Sequence, residues 1–320
     1  MSGISRRGFL GGAAAMGAAA CGGRRAFGFA TRQFKVAVIT DEISQDFDHA
    51  CAVASKEFGM QWVELRGMWK KSLQQLTDAE IADAMKILAK YNLRVTDIAS
   101  PLFKADWPGA PRSEHSPGGG DDGRDVLKEQ DAVLEKSIAL AKQFKTDKVR
   151  CFDFWRIENV APYREAIDRK LAEAADKCGK QGVVLVLENE FACNTATGRE
   201  AARTLGAVKS PHLALNWDPG NAVMRGEFDA FPVAWNLLPK DRIRHCHVKN
   251  AVKGANGKVE WSPVGTGIID WTAQFRELAK AGFHDAVSLE THWHGGGTPE
   301  ESTRKSWAGM KKALEDSGNL

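Results

Sequence analysis

The run Val183-Val-Leu-Val-Leu-Glu188-Asn189-Glu190 constrains this chain more than any other stretch. Five consecutive Val and Leu residues leave no polar face, so the segment predicts a strand covered on both sides, as in parallel sheets. A carboxylate follows where the apolar run stops. The plan recurs three times downstream: Leu213-Ala-Leu-Asn-Trp-Asp218 ends in Asp, Ile243-Arg-His-Cys-His247-Val248 carries His near its end, and Ala286-Val-Ser-Leu-Glu290 ends in Glu. Four successive strand ends therefore deliver two Glu, one Asp and one His.

The rest of the chain keeps the same rhythm. Strands are expected at 34–40, 61–66, 94–99 and 148–154, followed by the four already named. Helices are expected at 47–59, 78–91, 125–144, 163–180, 198–205, 231–238, 271–281 and 299–317. Thr77-Asp-Ala-Glu80 has the spacing of a capping box and sets the start of the second helix. From residue 183 to 243 the strands recur about every 30 residues, the length of one βαβ unit. Eight strand–helix units predict a single (β/α)₈ barrel, a TIM barrel, whose catalytic face is the carboxyl end of its strands. No G-x-G-x-x-G or P-loop follows any strand, which argues against an open nucleotide-binding sheet. The stretch 104–124, rich in Pro, Gly, Asp and Ser, is too long for an ordinary βα loop and is a lid candidate.

A chain of 320 residues, 43% hydrophobic and 27% charged, has material for one such domain, expected over residues 31–320. The net charge of +3 owes much to Arg6, Arg7, Arg24 and Arg25, and no basic block lies elsewhere, so nucleic acid is not an expected partner. Residues 1–30 have the form of a twin-arginine export signal. Ser5-Arg6-Arg7-Gly8-Phe9-Leu10 precedes an Ala/Gly-rich stretch ending at Ala20, too short and small-sided for a transmembrane span. That predicts a periplasmic or otherwise exported protein, with Cys21 a weak candidate for a lipid anchor. The five later cysteines lack C-x-x-C spacing and are expected to be small buried residues.

Glu188, Asp218, His247 and Glu290 are the candidate metal ligands. Three carboxylates and one imidazole form a hard, oxygen-rich set suited to one divalent ion: Mn²⁺ first, with Mg²⁺, Co²⁺, Fe²⁺ and Zn²⁺ also compatible.

The segments Leu187-Glu188-Asn189, Asn216-Trp-Asp218-Pro-Gly-Asn221, His245-Cys-His247-Val-Lys249-Asn250 and Ser288-Leu-Glu290-Thr-His292 resemble the xylose isomerase-like TIM-barrel superfamily, with its tagatose 3-epimerase-like and hydroxypyruvate isomerase-like enzymes. Val63-Glu64-Leu65-Arg66 and Gly265-Thr-Gly267-Ile-Ile-Asp270-Trp271 extend the resemblance over nearly all of the chain after residue 30. It implies that Glu188 and Glu290 each bind the metal and flank the substrate, with Asp218 and His247 completing the site. It also implies proton abstraction by Glu188 or Glu290 beside a metal-polarised carbonyl of a sugar or keto-sugar. Two positions depart from the pattern: Asn221 stands where many members have His, and Asn250 where many have Asp. Both departures weigh against aldose–ketose isomerisation.

Glu64, Ser100, Trp155, Asn221, Lys249 and His292 are the candidate substrate-binding residues, Glu64 and Ser100 because they end the second and third expected strands. No phosphate cradle is evident, so a non-phosphorylated substrate is expected. The leading function is a metal-dependent sugar isomerase or epimerase. Its rivals are a lyase of 3-keto-glycosides using the same first step, and a non-catalytic sugar-binding barrel. An apurinic endonuclease would need a His-rich multinuclear zinc site that this chain does not offer.

Overall fold

The computed structural model describes residues 34–117 and 125–320. The expected export signal and the glycine run at 118–120 lie outside the described residues. Eight parallel strands form one sheet: β1 (Lys35–Val38), β2 (Trp62–Leu65), β3 (Arg94–Leu102), β4 (Lys148–Cys151), β5 (Val184–Glu188), β6 (Leu213–Trp217), β7 (Ile243–Val248) and β8 (Ala286–Leu289). Their spatial order is 1-8-7-6-5-4-3-2, and a parallel bridge between Ile39 and Glu64 brings β1 against β2. The expected TIM barrel is therefore the fold, closed except for the thin β1–β2 seam.

The expected first helix is α1 (Phe47–Ala52) continued by a π-helical turn over Val53–Glu57, and the next four follow their expected boundaries closely: α2 (Asp78–Lys90), α3 (Val126–Gln143), α4 (Arg164–Gly179) and α5 (Gly198–Ala207). The Thr77 hydroxyl and the Glu80 carboxylate cap each other's backbone as their spacing requires. Apolar residues on the inner helix faces (Ile81, Ala84 and Leu88 on α2; Ile167, Leu171 and Ala175 on α4) pack against the outer side of the sheet. A short α6 (Pro219–Met224), unpredicted, follows β6 directly, with Asp218 as its N-cap. The segment expected to be helical over 231–238 is regular only in α7 (Trp235–Leu237). The chain ends with α8 (Trp271–Lys280) and α9 (Pro299–Ser317).

Two further features were not predicted. β3 runs on to Leu102 through Pro101, and an antiparallel hairpin (Asn250–Lys253 with Val259–Ser262) follows β7. The five cysteines from Cys51 onward are buried and unpaired, as expected. Among the described residues no helix is long and apolar enough to cross a membrane.

Candidate metal and active site

Side chains alternate across a strand, so every second residue of a barrel strand points inward. Most TIM-barrel interiors fill these positions with branched apolar residues. This one fills much of its upper half with polar and charged groups: Glu64 from β2 and Arg66 just after it, Arg150 from β4, Glu188 from β5, Asn216 from β6 and Asp218 just after it, His245 and His247 from β7, and Glu290 just after β8. All of these except Arg66 are buried.

Glu188, Asp218, His247 and Glu290 converge, each offering a ligand atom within 4.8 Å of the others. His247 Nδ1 lies 3.1 Å from Glu290 Oε2, 3.3 Å from Glu188 Oε1 and 3.7 Å from Asp218 Oδ2. Ligand atoms about 2.1 Å from a shared ion stand about 3.0–3.5 Å apart, so this spacing suits a divalent cation with little rearrangement. Two further observations support that fit. His247 Nδ1 is buried with no hydrogen-bond partner, although it faces three carboxylates. Arg150 Nη1 lies 3.1 Å from Glu188 Oε2 as an ion pair, yet that oxygen accepts no hydrogen bond.

The electrostatics give the same answer. Burial would raise the carboxyl of Glu188, but His247 and Arg150 outweigh it and hold the group well below the usual carboxylate range. Burial likewise opposes the charge of Glu290, and Lys249, His292 and His247 overcome it. Burial would lower His247, while Glu64, Glu188 and Glu290 push it well above an ordinary imidazole. The pocket thus holds its acids ionised and calls for positive charge at His247 Nδ1, where the three carboxylates meet.

Lys249 supplies part of that charge. Its ammonium, with no solvent exposure, sits 2.8 Å from Asp218 Oδ2 and 2.5 Å from Glu290 Oε2. Asn221 donates through its amide nitrogen to Glu188 Oε1 and Asp218 Oδ2, each at 3.0 Å, so it orients two ligands. His292 adopts a left-handed backbone (φ 47°) and lies half-buried over the rim, its ring 5.2 Å from Trp261 and its Nδ1 3.6 Å from Glu42. Trp155 is partly exposed beside Lys104, the first residue of the lid candidate, and Lys104 approaches Glu190 at 3.7 Å.

Glu64 and Ser100 both lie inside the barrel, below its open rim. Glu64 precedes the last residue of β2, and its carboxylate lies 3.0 Å from His247 Nε2. Ser100 sits within β3, which continues past it, and its hydroxyl donates to the Arg150 carbonyl. Arg66, one residue beyond β2, is the group that reaches the rim: it binds Asp41, Glu42 and Glu290 at 3.0, 2.8 and 3.1 Å.

Sequence reasoning also passed over Arg150, Glu190 and Asn216. Glu190 is buried beside Asn221, and burial raises its carboxyl. The available signal for Arg150 was its place two residues after Lys148 on one face of β4.

The expectation of a barrel of this family is met by comparison with known proteins. The family model for the xylose isomerase-like TIM barrel matches residues 52–313. No curated protein matches the chain. Among solved structures, the IolI protein with a bound zinc atom superposes with a TM-score of 0.68 at 17% identity, covering 89% of this chain and 98% of that one. The 3-keto-D-glucoside 4-epimerase YcjR from E. coli gives 0.62 at 15%, covering 87% and 99%. The probable 3-DHS dehydratase AsbF from Bacillus anthracis gives 0.62 at 20%, covering 87% and 98%. With its barrel, its strand-end ligand set and a family match over most of its length, this chain belongs to the xylose isomerase-like TIM-barrel family.

Proposed function

We propose that the protein is a divalent-metal-dependent sugar isomerase or epimerase that moves a proton on the carbon beside a carbonyl. The observation that carries this reading is the pair Glu188 and Glu290, two ionised carboxylates meeting at the unpartnered Nδ1 of His247. Glu188, Asp218, His247 and Glu290 would hold the ion, with Mn²⁺ the first candidate. When bound, a divalent ion polarises the carbonyl and stabilises negative charge on its oxygen.

The chain's own residues do the rest. Glu188 or Glu290 takes the proton from the adjacent carbon, and one of them returns it to the same or the opposite face. Lys249 and Arg66 hold Glu290 in place from two sides, and Asn221 and Arg150 do so for Glu188. Burial keeps bulk water from competing for the proton.

A second reading shares the first step. In a 3-keto-glycoside lyase the carbanion expels the glycosidic oxygen and is not reprotonated. The comparison proteins whose names give a reaction, an epimerase and a dehydratase, stand on either side of this choice.

The deciding experiment incubates Mn²⁺-supplemented protein with keto-sugars and 3-keto-glycosides in deuterium oxide. Deuterium at the carbon beside the carbonyl together with an epimer supports the first reading. Release of the aglycone supports the second. Binding with neither deuterium uptake nor product would leave a sugar-binding barrel. Export belongs to the same proposal, because the Arg6-Arg7 segment is its support. Replacing both arginines by Lys should keep the protein inside the cell, as fractionation would show.

A further inference from the structure

Below the four candidate ligands lies a second tier of side chains with no solvent exposure: Glu64, Asp97, Asn216 and His245. They form a chain leading away from His247. Its Nε2 stands 3.0 and 3.2 Å from the two oxygens of Glu64 and 3.1 Å from the carboxamide of Asn216. The other end of that carboxamide lies 3.1 Å from His245 Nδ1. His245 Nε2 lies 3.3 Å from Asp97 Oδ1 and 3.7 Å from Glu64 Oε2.

The donor and acceptor inventory of these groups favours one assignment at His247. Glu64 turns both carboxylate oxygens towards His247 Nε2, at 3.0 and 3.2 Å, and a carboxylate accepts hydrogen bonds only. The hydrogen on His247 therefore belongs on Nε2. The structure places Asn216 Nδ2 at His247 Nε2 and Oδ1 at His245 Nδ1; the carboxamide is nearly symmetric in shape, and exchanging its two ends gives the His247 N–H an acceptor in place of a second donor. Its NH₂ then donates to His245 Nδ1, while His245 Nε2 faces Asp97 Oδ1 at 3.3 Å and makes no hydrogen bond. With Nε2–H given to Glu64, Nδ1 is the nitrogen aimed at Glu188, Asp218 and Glu290, where a divalent cation would take the place of a proton.

We propose that Glu64 and Asn216 are positioning residues that lock His247 in its Nε2–H tautomer and so present Nδ1 to a divalent cation, with His245 fixing the orientation of the Asn216 carboxamide. The inference rests on the divalent-ion reading above. Metal-bound histidines commonly give their other N–H to a carboxylate, and loss of that partner weakens affinity about 10- to 100-fold.

The test uses the whole chain, with Mn²⁺ and Zn²⁺ alone as probes and a chromophoric chelator as competitor. Asn216→Leu and Glu64→Leu should each weaken metal binding about 10- to 100-fold. Glu64→Gln, whose amide oxygen still accepts from Nε2–H, should recover much of the loss. Nitrogen-15 NMR of the Zn²⁺-loaded, histidine-labelled wild type should show His247 protonated at Nε2 and metal-bound at Nδ1. This measurement stands even if a variant fails to fold. Wild-type affinity in both Leu variants, or a metal on Nε2, would overturn the positioning scheme while leaving the metal site intact. A wild-type chain that takes up neither metal would overturn the site itself, and this inference with it.

Discussion

The two ends of the barrel both carry charge networks, and they differ in kind. At the end where the strands begin, Lys148 reaches Asp285 at 3.0 Å and Asp147 at 2.7 Å, while Arg244 and Lys35 approach Asp285 at 2.6 and 3.4 Å. Positive and negative groups alternate there, and none of these side chains leaves a buried polar atom without a partner. At the end where the strands stop, Glu188, Asp218, Glu290, Glu42 and Glu190 outnumber Arg66, Arg150 and Lys249. His247 Nδ1 and Glu188 Oε2 there accept nothing from the protein. A matched network closes the barrel. An unmatched, buried one costs stability unless something else completes it. The difference sets the upper cluster apart as the candidate site and the lower one as a plug.

The largest break in that comparison should come from chemistry. Glu188→Gln and Glu290→Gln should each reduce solvent deuterium exchange into substrate about 10²- to 10⁴-fold. Lys148→Gln at the lower end should leave exchange per folded molecule near wild type. Elemental analysis should find about one divalent ion per chain, lost in the Glu188→Ala/His247→Ala double variant.

Stability comes next. Lys249→Met strands the buried carboxylates of Asp218 and Glu290 and should cost about 3–5 kcal/mol in metal-free protein. Added Mn²⁺ should narrow the deficit, because the ion neutralises the same oxygens; chemical denaturation with and without Mn²⁺ reads both effects.

A smaller effect belongs to pH at the lower end. Burial opposes ionisation of Asp285, but Lys148 and Arg244 outweigh it and hold its pKa at about 2, below the ordinary 3.8. A depressed carboxylate stabilises the fold above the unfolded value and loses that contribution as pH falls from about 4 towards 2. Discounted for partial screening, the loss is about 1–2 kcal/mol, and it should be absent from Asp285→Asn in denaturation midpoints taken across that range. The smallest effect is expected at Arg94→Ala, which removes a guanidinium 4.0 Å above the Trp62 ring and should cost about 0.5–1 kcal/mol in the same assay.

Much of this architecture was legible in the chain. The run at 183–188 has one period and no polar face, so it could only be a covered strand, and its observed limits are Val184–Glu188. The capping box at Thr77 and Glu80 is equally local. The four candidate ligands were legible for a related reason: each closes, or nearly closes, an apolar run, and every such run in a parallel barrel stops on the same face.

What escaped was what depends on partners distant in sequence. Arg150, in Lys148-Val-Arg-Cys151, has the alternation of a half-exposed strand, but the side of β4 that looks solvent-facing points into the barrel and meets Glu188. Ser100 looked like a strand end because Pro101 follows, yet pairing with β4 carries β3 to Leu102. The hairpin after β7 has no strong apolar period, and it is what brings Trp261 against His292.

The sequence by itself determined the element order, the parallel barrel and the set of acids and imidazoles on its open face, because periodicity and strand-end position are local properties that survive without tertiary contacts. Only the tertiary structure decided which charges neutralise which, that Glu64 serves His247 from below while Arg66 takes the rim, and that Lys249 lies against the ligand oxygens. Those outcomes turn on Coulomb energies and desolvation among groups far apart in the chain, which become neighbours only when the barrel closes.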